Sequence, residues 1–468
     1  MKKFKVIKVT LLAVGLFSIQ SCFVAKDYQR PDNVSTEAQF RTDVVAQSDK
    51  TVADVTWQEF FSDSKLKSYI TKGVQNNLDI RTALQNISVA EAYMKQGKAG
   101  YMPTLSAGPG YQFTKTSANT QFGRITGSQS LSQYDVTGNF SWEADIWGKI
   151  RSGYRGATAN YLQTIEAHKA VQTNIIATIA NTYYQLIALD EQRAAIEKTI
   201  ALREQSLETT KALKEAGNVT QVAVNQTEAQ LYNAKSLLVD VDSNIKLNEN
   251  ILSVLIGETP QSIERGTIDD QKIDTNLAIG VPAQLLENRP DVKAAEYALI
   301  NAFENVNVAN ASFYPSFTVT ASGGIQGIDL DRMLSAQSLF ASVVARLAQP
   351  ILQKRQIKTN KEVALANQEK SLLAYKKSIL TASKEVSDAL ARYQAADAKV
   401  PLKEKEAALY NQSIDFSQEL LNYGMANYLE VITAREAALN AELNAINAKL
   451  NKLTSVVELY RSLGGGWK

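Results

Sequence analysis

Apolar residues recur every seven positions through much of the second half of the chain. From Leu365 the series reads Leu365, Leu372, Ile379, Val386, Tyr393, Val400, Ala407, Ile414 and Leu421. Small or flat residues (Tyr375, Ala382, Ala389, Ala396) stand three places after its early members. A period of seven keeps one seam against a partner only when helices pack nearly parallel in coiled-coil geometry. Between Lys354 and Tyr423 the only proline is Pro401, and the first glycine is Gly424, so the spacing predicts one helix over 354–423. At about 1.5 Å per residue that helix is roughly 100 Å long, several times the diameter of a small domain. It therefore belongs to an elongated helical tube or rod. Pro401 removes one intrahelical bond and predicts a kink there.

The pattern occurs twice. Leu78-Asp79-Ile80-Arg81 starts a helix that runs to about Gly100 and ends at Tyr101-Met102-Pro103. Far downstream, Arg289-Pro290-Asp291-Val292 starts another that ends at Phe313-Tyr314-Pro315. Asp79 to Pro103 and Asp291 to Pro315 span the same length. In each, an acidic residue in the first turn complements the helix dipole, and Pro290 stands where a helix tolerates it. A shared register of this length implies a duplication of about 210 residues.

After each proline the period switches from helical to two. In the first copy Leu105, Ala107, Tyr111 and Phe113 alternate with Thr104, Ser106, Gln112 and Thr114. Its return strand sets Tyr134, Val136, Phe140 and Trp142 against Asp135, Thr137, Asn139, Ser141 and Glu143. The second copy repeats this with Phe317, Val319 and Ala321 against Ser316, Thr318, Thr320 and Ser322. Its return strand sets Leu339, Ala341, Val343, Ala345 and Leu347 against Ser342 and Arg346. Hairpins are thus expected over 103–146 and 315–349, joined by polar loops over 115–133 and 323–338. Each strand has about the 10 residues that cross a bilayer at a tilt. An isolated hairpin is marginal in water, and no other strand-rich segment exists to pair with these. Four strands cannot close a membrane barrel, which needs about 8. Two copies of the chain would supply 8 strands, and three would supply 12 with an opening between them.

Each return strand feeds a long helix, over 147–216 and 354–423, that ends at Gly217 or Gly424, as a left-handed C-terminal cap requires. A second helix then returns. Leu231, Ala234, Leu238, Val241, Ile245, Leu252 and Leu255 mark its seam in the first copy, with Asn248 as the polar exception. Ile432, Leu439, Leu443, Ile446, Leu450, Leu453, Val457 and Tyr460 mark it in the second, with Glu436 as the exception. Both are antiparallel coiled-coil hairpins with tight tips, Gly217-Asn218-Val219 and Gly424-Met425-Ala426-Asn427. The repeats span 57–256 and 289–468, with a linker over 257–288 that contains Pro260, Gly266, Gly280 and Pro282. The stretch WQEFFS over 57–62 opens a short helix over Asp63–Asn76.

The amino end changes the picture of where the protein resides. Lysines precede the apolar stretch Val9–Ile19, and the sole cysteine, Cys22, follows it. This is signal-peptide architecture over 1–21, and a single thiol closing it reads as the acylated Cys22 of a bacterial lipoprotein. One lipid group set is a modest anchor that works with a second attachment. The polar stretch 22–56 is then a tether. The 468 residues carry 50 basic and 48 acidic side chains. Loss of Lys2, Lys3, Lys5 and Lys8 leaves 46 basic against 48 acidic. Nothing in that balance, nor any basic stripe, suggests nucleic acid, and no run of about 18 apolar residues suggests a transmembrane helix.

Together these residues resemble the TolC-like outer-membrane efflux proteins. The resemblance rests on Arg289-Pro290-Asp291 followed by AAEYAL, on FYPSFTVTASGG over 313–324, on YRSLGGGW over 460–467, and on the duplication. The signal peptide with Cys22 is similar to the lipoprotein branch of OprM-like and NodT-like factors. The resemblance covers the chain from about Asp54 to Trp467. It implies a mostly α fold with a small membrane β part: a homotrimer whose 12-stranded barrel continues into a 12-helix coiled-coil tunnel. It also implies docking through the tips, Gly217, Asn218, Val219, Gly424, Met425, Ala426 and Asn427, to a periplasmic adaptor of an inner-membrane pump of the RND type. The tips depart from the family pattern. Asn427 and Thr433 stand where carboxylates are usual, and so does Ala223 in the first tip. That removes an inward carboxylate ring, for which Glu430 can substitute only if it faces the lumen. Tyr423 and Tyr428 are the candidates to narrow the aperture sterically.

Candidate chemistry adds little. His168 is the only histidine and Cys22 the only cysteine, so no zinc or copper set is available. No phosphate-binding loop or nucleophile elbow occurs, and Gly464–Gly466 terminates a helix. Asp145 and Glu143, beside Trp142 and Trp147, are the best acid pair and belong to a junction between barrel and helix. The chain thus reads as a passive exit duct without cofactor, not an enzyme. A type I protein-secretion conduit or a periplasmic coiled-coil scaffold remains the alternative.

Overall fold

A computed structural model of the chain describes residues 25–31, 52–127, 129–271 and 288–468. The helices are α1 (Trp57–Phe60), α2 (Ser64–Asn76), α3 (Leu78–Ala99), α4 (Gln121–Thr126), α5 (Lys149–Glu215), α6 (Gln221–Leu255), α7 (Pro290–Ala311), α8 (Gln356–Asn422) and α9 (Tyr428–Ser462). The strands are β1 (Thr104–Lys115), β2 (Ser130–Ala144), β3 (Ser316–Gly327) and β4 (Leu339–Ala348). The duplication is plain in the lengths. Helices α5 and α8 have 67 residues each, α6 and α9 have 35, and α3 and α7 have 22.

The chain divides into two compact units, the first made of residues up to 31, 88–163 and 296–374. It holds one antiparallel sheet in the order β1-β2-β3-β4. The two hairpins of the duplicated repeats are therefore joined edge to edge by β2 and β3. That junction needs a close approach: a Cβ at Gly324 would meet the carbonyl oxygen of Val136 at 2.0 Å. Register sets Tyr111 opposite Tyr134 and Leu105 opposite Phe140, so the apolar residues of neighbouring strands share one face. The Tyr111 and Tyr134 rings lie 5.1 Å apart. At the sheet's base, Trp142 Nε1 donates to the carbonyl of Tyr101 (3.1 Å) and Trp147 Nε1 to that of Pro315 (2.8 Å). Trp147 also stacks on Tyr314 at 4.8 Å. Residues 25–31 lie along α7. The Asn307 amide exchanges two hydrogen bonds with the Lys26 backbone, and Arg30 grips Glu296 through two bonds of 2.7 Å.

The second unit comprises residues 32–87, 164–295 and 375–468. Its core is apolar and aromatic: Ile176, Ile179, Tyr183, Tyr184 and Ile187 of α5 pack with Leu66, Ile70, Phe61 and Leu252. Tyr375, Ile379, Ala382, Val386 and Ala389 of the predicted seam are all buried. Helix α8 also carries a second apolar series, Leu402, Leu409 and Phe416, seven apart and exposed. Leu409 lies two residues beyond the buried Ala407, about 200° round the helix. One stripe is filled within the chain and the opposite one is open.

Two charged clusters tie the unit together. Arg289, buried just before α7, holds Asp291 through bonds of 3.0 and 2.6 Å, Glu385 at 2.8 Å and the Ser462 carbonyl at 3.0 Å. Arg265 joins Asp190 of α5 to Glu249 of α6, and those bonds raise its pKa further above the usual arginine value, against its burial.

Several expectations need correction. The helix expected over 63–76 is α2, capped by Asp63, which accepts from the Lys65 and Leu66 amides, but the WQEFFS stretch ahead of it forms a helix of its own, α1. The first polar loop contains α4, capped by Thr120. Helix α8 starts at Gln356 rather than 354, since Lys354 and Arg355 adopt φ of 46° and 67°. Pro401 does not end α8, as the spacing predicts. Part of the expected linker, 272–287, lies outside the described residues, as do the signal peptide and most of the tether.

Candidate functional site

The candidate site is the pair of turns that joins α5 to α6 and α8 to α9. Each is a Schellman cap, in which a glycine in the left-handed region lets two amides reach back to otherwise orphaned carbonyls. At the first, Gly217 (φ 79°) donates to Lys214 and Asn218 to Leu213. At the second, Gly424 (φ 70°) donates to Leu421 and Met425 to Leu420. The glycines are 207 positions apart, as are Gly257 and Gly464 at the other ends of the return helices, which have the same pair of bonds. Both caps stand where the sequence pattern predicts them.

Of the predicted tip residues, Asn427 caps a helix. Its side chain accepts from the Glu430 amide at 3.1 Å and so starts α9. Asn218 is exposed, Val219 and Ala426 are half-buried, and Met425 is 77% exposed. Tyr423 is 73% exposed, whereas Tyr428 is half-buried with its hydroxyl 3.3 Å from Thr227 Oγ1. Tyr428 therefore bridges the two hairpins, and Tyr423 makes no such contact among the described residues. The Glu430 side chain is exposed and stands in the first turn of α9, where the helix dipole favours a carboxylate.

A feature that the sequence pattern does not reveal lies a few turns from the tips. Arg435 of α9 donates to the Leu202 carbonyl and the Ser206 hydroxyl of α5, and to Gln418 of α8. Arg203 of α5 donates to the Gln230 carbonyl of α6. Two arginines thus cross-link all four helices of the paired hairpins. Arg203 is only 4% exposed. Burial pulls its pKa below the usual arginine value; Glu436 opposes that shift and Arg435 adds to it. The Nε atoms of both arginines lack a partner among the described residues. Glu436, an anomaly in the apolar series, was the one available signal.

No group of three metal-binding side chains occurs among the described residues. His168 stands on α5 with its pKa lowered by partial burial and by Lys169. No described helix is long and apolar enough to cross a membrane.

Comparison with known proteins decides the family. The sequence profile of the outer membrane efflux protein family matches residues 70–258 and 281–465, one match for each repeat. The chain belongs to this family. It is an outer-membrane efflux channel, a conduit rather than an enzyme. Among similar proteins is the toluene efflux pump outer membrane protein TtgF of Pseudomonas putida, 28% identical over 98% of this chain and 97% of that protein. The cation efflux system protein CusC of Escherichia coli O6:H1 is 25% identical over 96% of this chain and 97% of its own. Among solved structures, the outer-membrane channel OprN aligns with a TM-score of 0.88 at 22% identity, covering 95% of this chain and all of that one. The open state of the Neisseria gonorrhoeae MtrE channel aligns at 0.84 and 24% identity, over 95% and 98% of the two chains. These matches bear out the mostly helical, duplicated fold and the efflux reading. Cys22, the expected lipid anchor of this efflux protein, lies outside the described residues.

Proposed function

We propose that three copies of this efflux protein close a 12-stranded outer-membrane barrel that continues into a 12-helix tunnel. Drugs or other small solutes would cross it passively from an adaptor and an inner-membrane pump of the RND type. The observation that carries this reading is the sheet itself. It has four strands, one apolar face, and no partner strand on the outer edges of β1 and β4 among the described residues. Unpaired edges invite pairing with another chain in water and are impossible in lipid, where every backbone group needs a partner. From Tyr134 to Trp142 the apolar face runs eight residues, about 27 Å along the strand, with aromatic residues at both ends, as membrane barrels have. Pairing β4 of one copy with β1 of the next removes both edges. The exposed stripe of Leu402, Leu409 and Phe416 asks for the same neighbour, since a second heptad seam needs a second helix.

In this reading the turns at Gly217–Val219 and Gly424–Asn427 face the adaptor. Met425 and Tyr423 supply exposed apolar surface for docking, and Glu430 supplies charge there. The closed aperture is held by the Tyr428–Thr227 contact and by Arg203 and Arg435, in place of the carboxylates absent at Ala223, Asn427 and Thr433. Opening moves one hairpin of each protomer past the other, a change between two packings. Acylation of Cys22 adds a second hold on the membrane. The test is purification in detergent followed by native mass and planar-bilayer recording. Three chains per particle and discrete conductance steps support the proposal. A monomer that leaves bilayers silent refutes it.

A further inference from the structure

Among the described residues, the polar face of the sheet carries only three charged side chains, and they are unevenly matched. Register places Glu143, Thr318 and Arg346 in one row at the base. Two strand spacings, about 10 Å, separate the acid from the base, and Glu143 also meets Lys149 at 3.3 Å. Eight residues up β2, about 27 Å along the strand, stands Asp135, in a row with Gly110 and Gln326. Its carboxylate lies flat over Gly110: a Cβ there would meet Oδ1 at 2.6 Å. Thr137 donates its hydroxyl to Oδ2 at 2.8 Å. No basic side chain pairs with Asp135 among the described residues. The neighbours on either side are a glycine and a neutral amide, so nothing in the row offsets its charge.

We infer that Asp135 gives the membrane part of the pore a preference for cationic solutes over anionic ones. The inference rests on the three-copy barrel proposed above, in which the polar face lines the lumen and Asp135 recurs three times at one height. Twelve strands spaced about 4.8 Å apart and tilted by about 40° make a barrel of roughly 12 Å radius. A carboxylate reaching inward then lies roughly 10 Å from the axis. That is about one Debye length at 0.1 M salt and a third of one at 0.01 M. Three charges at that distance in water enrich a monovalent cation on the axis by about 2-fold at 0.1 M and about 4-fold at 0.01 M. Anions are depleted by the same factors. The preference is therefore weak in physiological salt for small ions. It strengthens for multivalent organic cations and for any solute that travels along the wall.

The test is the reversal potential of purified channels under a KCl gradient, measured around 0.1 M and again around 0.01 M. The protein should prefer potassium over chloride, several times more strongly at low salt. Asp135→Asn should remove most of the salt-dependent part while leaving conductance steps intact, and Asp135→Lys should reverse the preference. Glu143→Gln and Glu430→Gln, at the base and at the tips, should each leave most of it. An Asp135→Asn channel with unchanged selectivity overturns the inference, as does an equal loss in either control. Absence of any conductance in the unaltered protein would instead strike the barrel reading itself.

Discussion

Replacing Arg289 by alanine probes why an arginine stands ahead of Pro290 and Asp291. The guanidinium is 5% exposed and makes two bonds to Asp291, one to Glu385 and one to the Ser462 carbonyl, tying the start of α7 to α8 and to the end of α9. Burial pulls its pKa down, but the bonds and charges of Asp291 and Glu385 together outweigh it and hold the pKa above the usual arginine value. Breaking a buried ion pair from one side costs roughly 3–5 kcal/mol. Here the low end applies. Asp291 is 47% exposed once paired, and Glu385 keeps Arg461 at 3.5 Å, so both carboxylates left behind are partly compensated. The buried Ser462 carbonyl loses a charged donor, worth about 1–3 kcal/mol, and is included in that range. A loss of about 3 kcal/mol lowers the melting midpoint by about 6 °C, at roughly 2 °C per kcal/mol for a unit this large. Arg289→Lys should recover about half, because an ammonium cannot hold one carboxylate with two nitrogens while reaching a second and a carbonyl. The assay is the loss of helical circular dichroism of the detergent-solubilised protein on heating. An alanine variant within about 1 °C of the parent, or a lysine variant equal to it, would refute the reasoning.

Three further outcomes are expected. Gly424→Ala forces a left-handed residue where no side chain blocks the Cβ, so the cost is pure backbone, about 1 kcal/mol, read as a roughly five-fold faster proteolytic nick at the tip. Arg435→Ala removes the bonds from α9 to α5 and α8. At about 2 kcal/mol it should raise the open-to-closed ratio in bilayer recordings by about 30-fold, and an unchanged open probability would contradict the latch. Asp63 is held below the usual carboxylate range: burial pushes its pKa up, but bonds from Tyr183, Gln271, Leu66 and Lys65 together outweigh it. A depressed folded-state pKa means stability that is present above about pH 4 and lost as acid titrates the folded carboxylate. The melting midpoint should therefore fall below pH 4, and Asp63→Ala should flatten that fall while lowering the midpoint near pH 7.

Much of the architecture was legible because it is written in periods. The sevenfold series at Tyr375, Ile379, Ala382, Val386 and Ala389 is buried, and the twofold series of all four strands matches the observed register. The pairing of β2 with β3 was not legible. It depends on a close approach at Gly324, and a glycine inside a strand does not name its partner. Nor did α4 stand out, since a cap such as Thr120 acts within one turn of polar sequence. The tip turns were readable from Gly217 and Gly424. Arg203 and Arg435 were not, because a long charged side chain on a helix looks the same in sequence whether it reaches water or a neighbouring carbonyl. Leu402, Leu409 and Phe416 formed a second heptad series that counting alone could have found.

Hydrogen exchange along the outer edges of β1 and β4 tests the shared-barrel account most directly. In the purified assembly, the amides of Thr104–Lys115 that point away from β2 and those of Leu339–Ala348 that point away from β3 should be as protected as the interior amides of β2 and β3. If those edge amides exchange as quickly as open, water-facing backbone while the β2–β3 ladder stays protected, no neighbouring copy closes the sheet and the account is wrong.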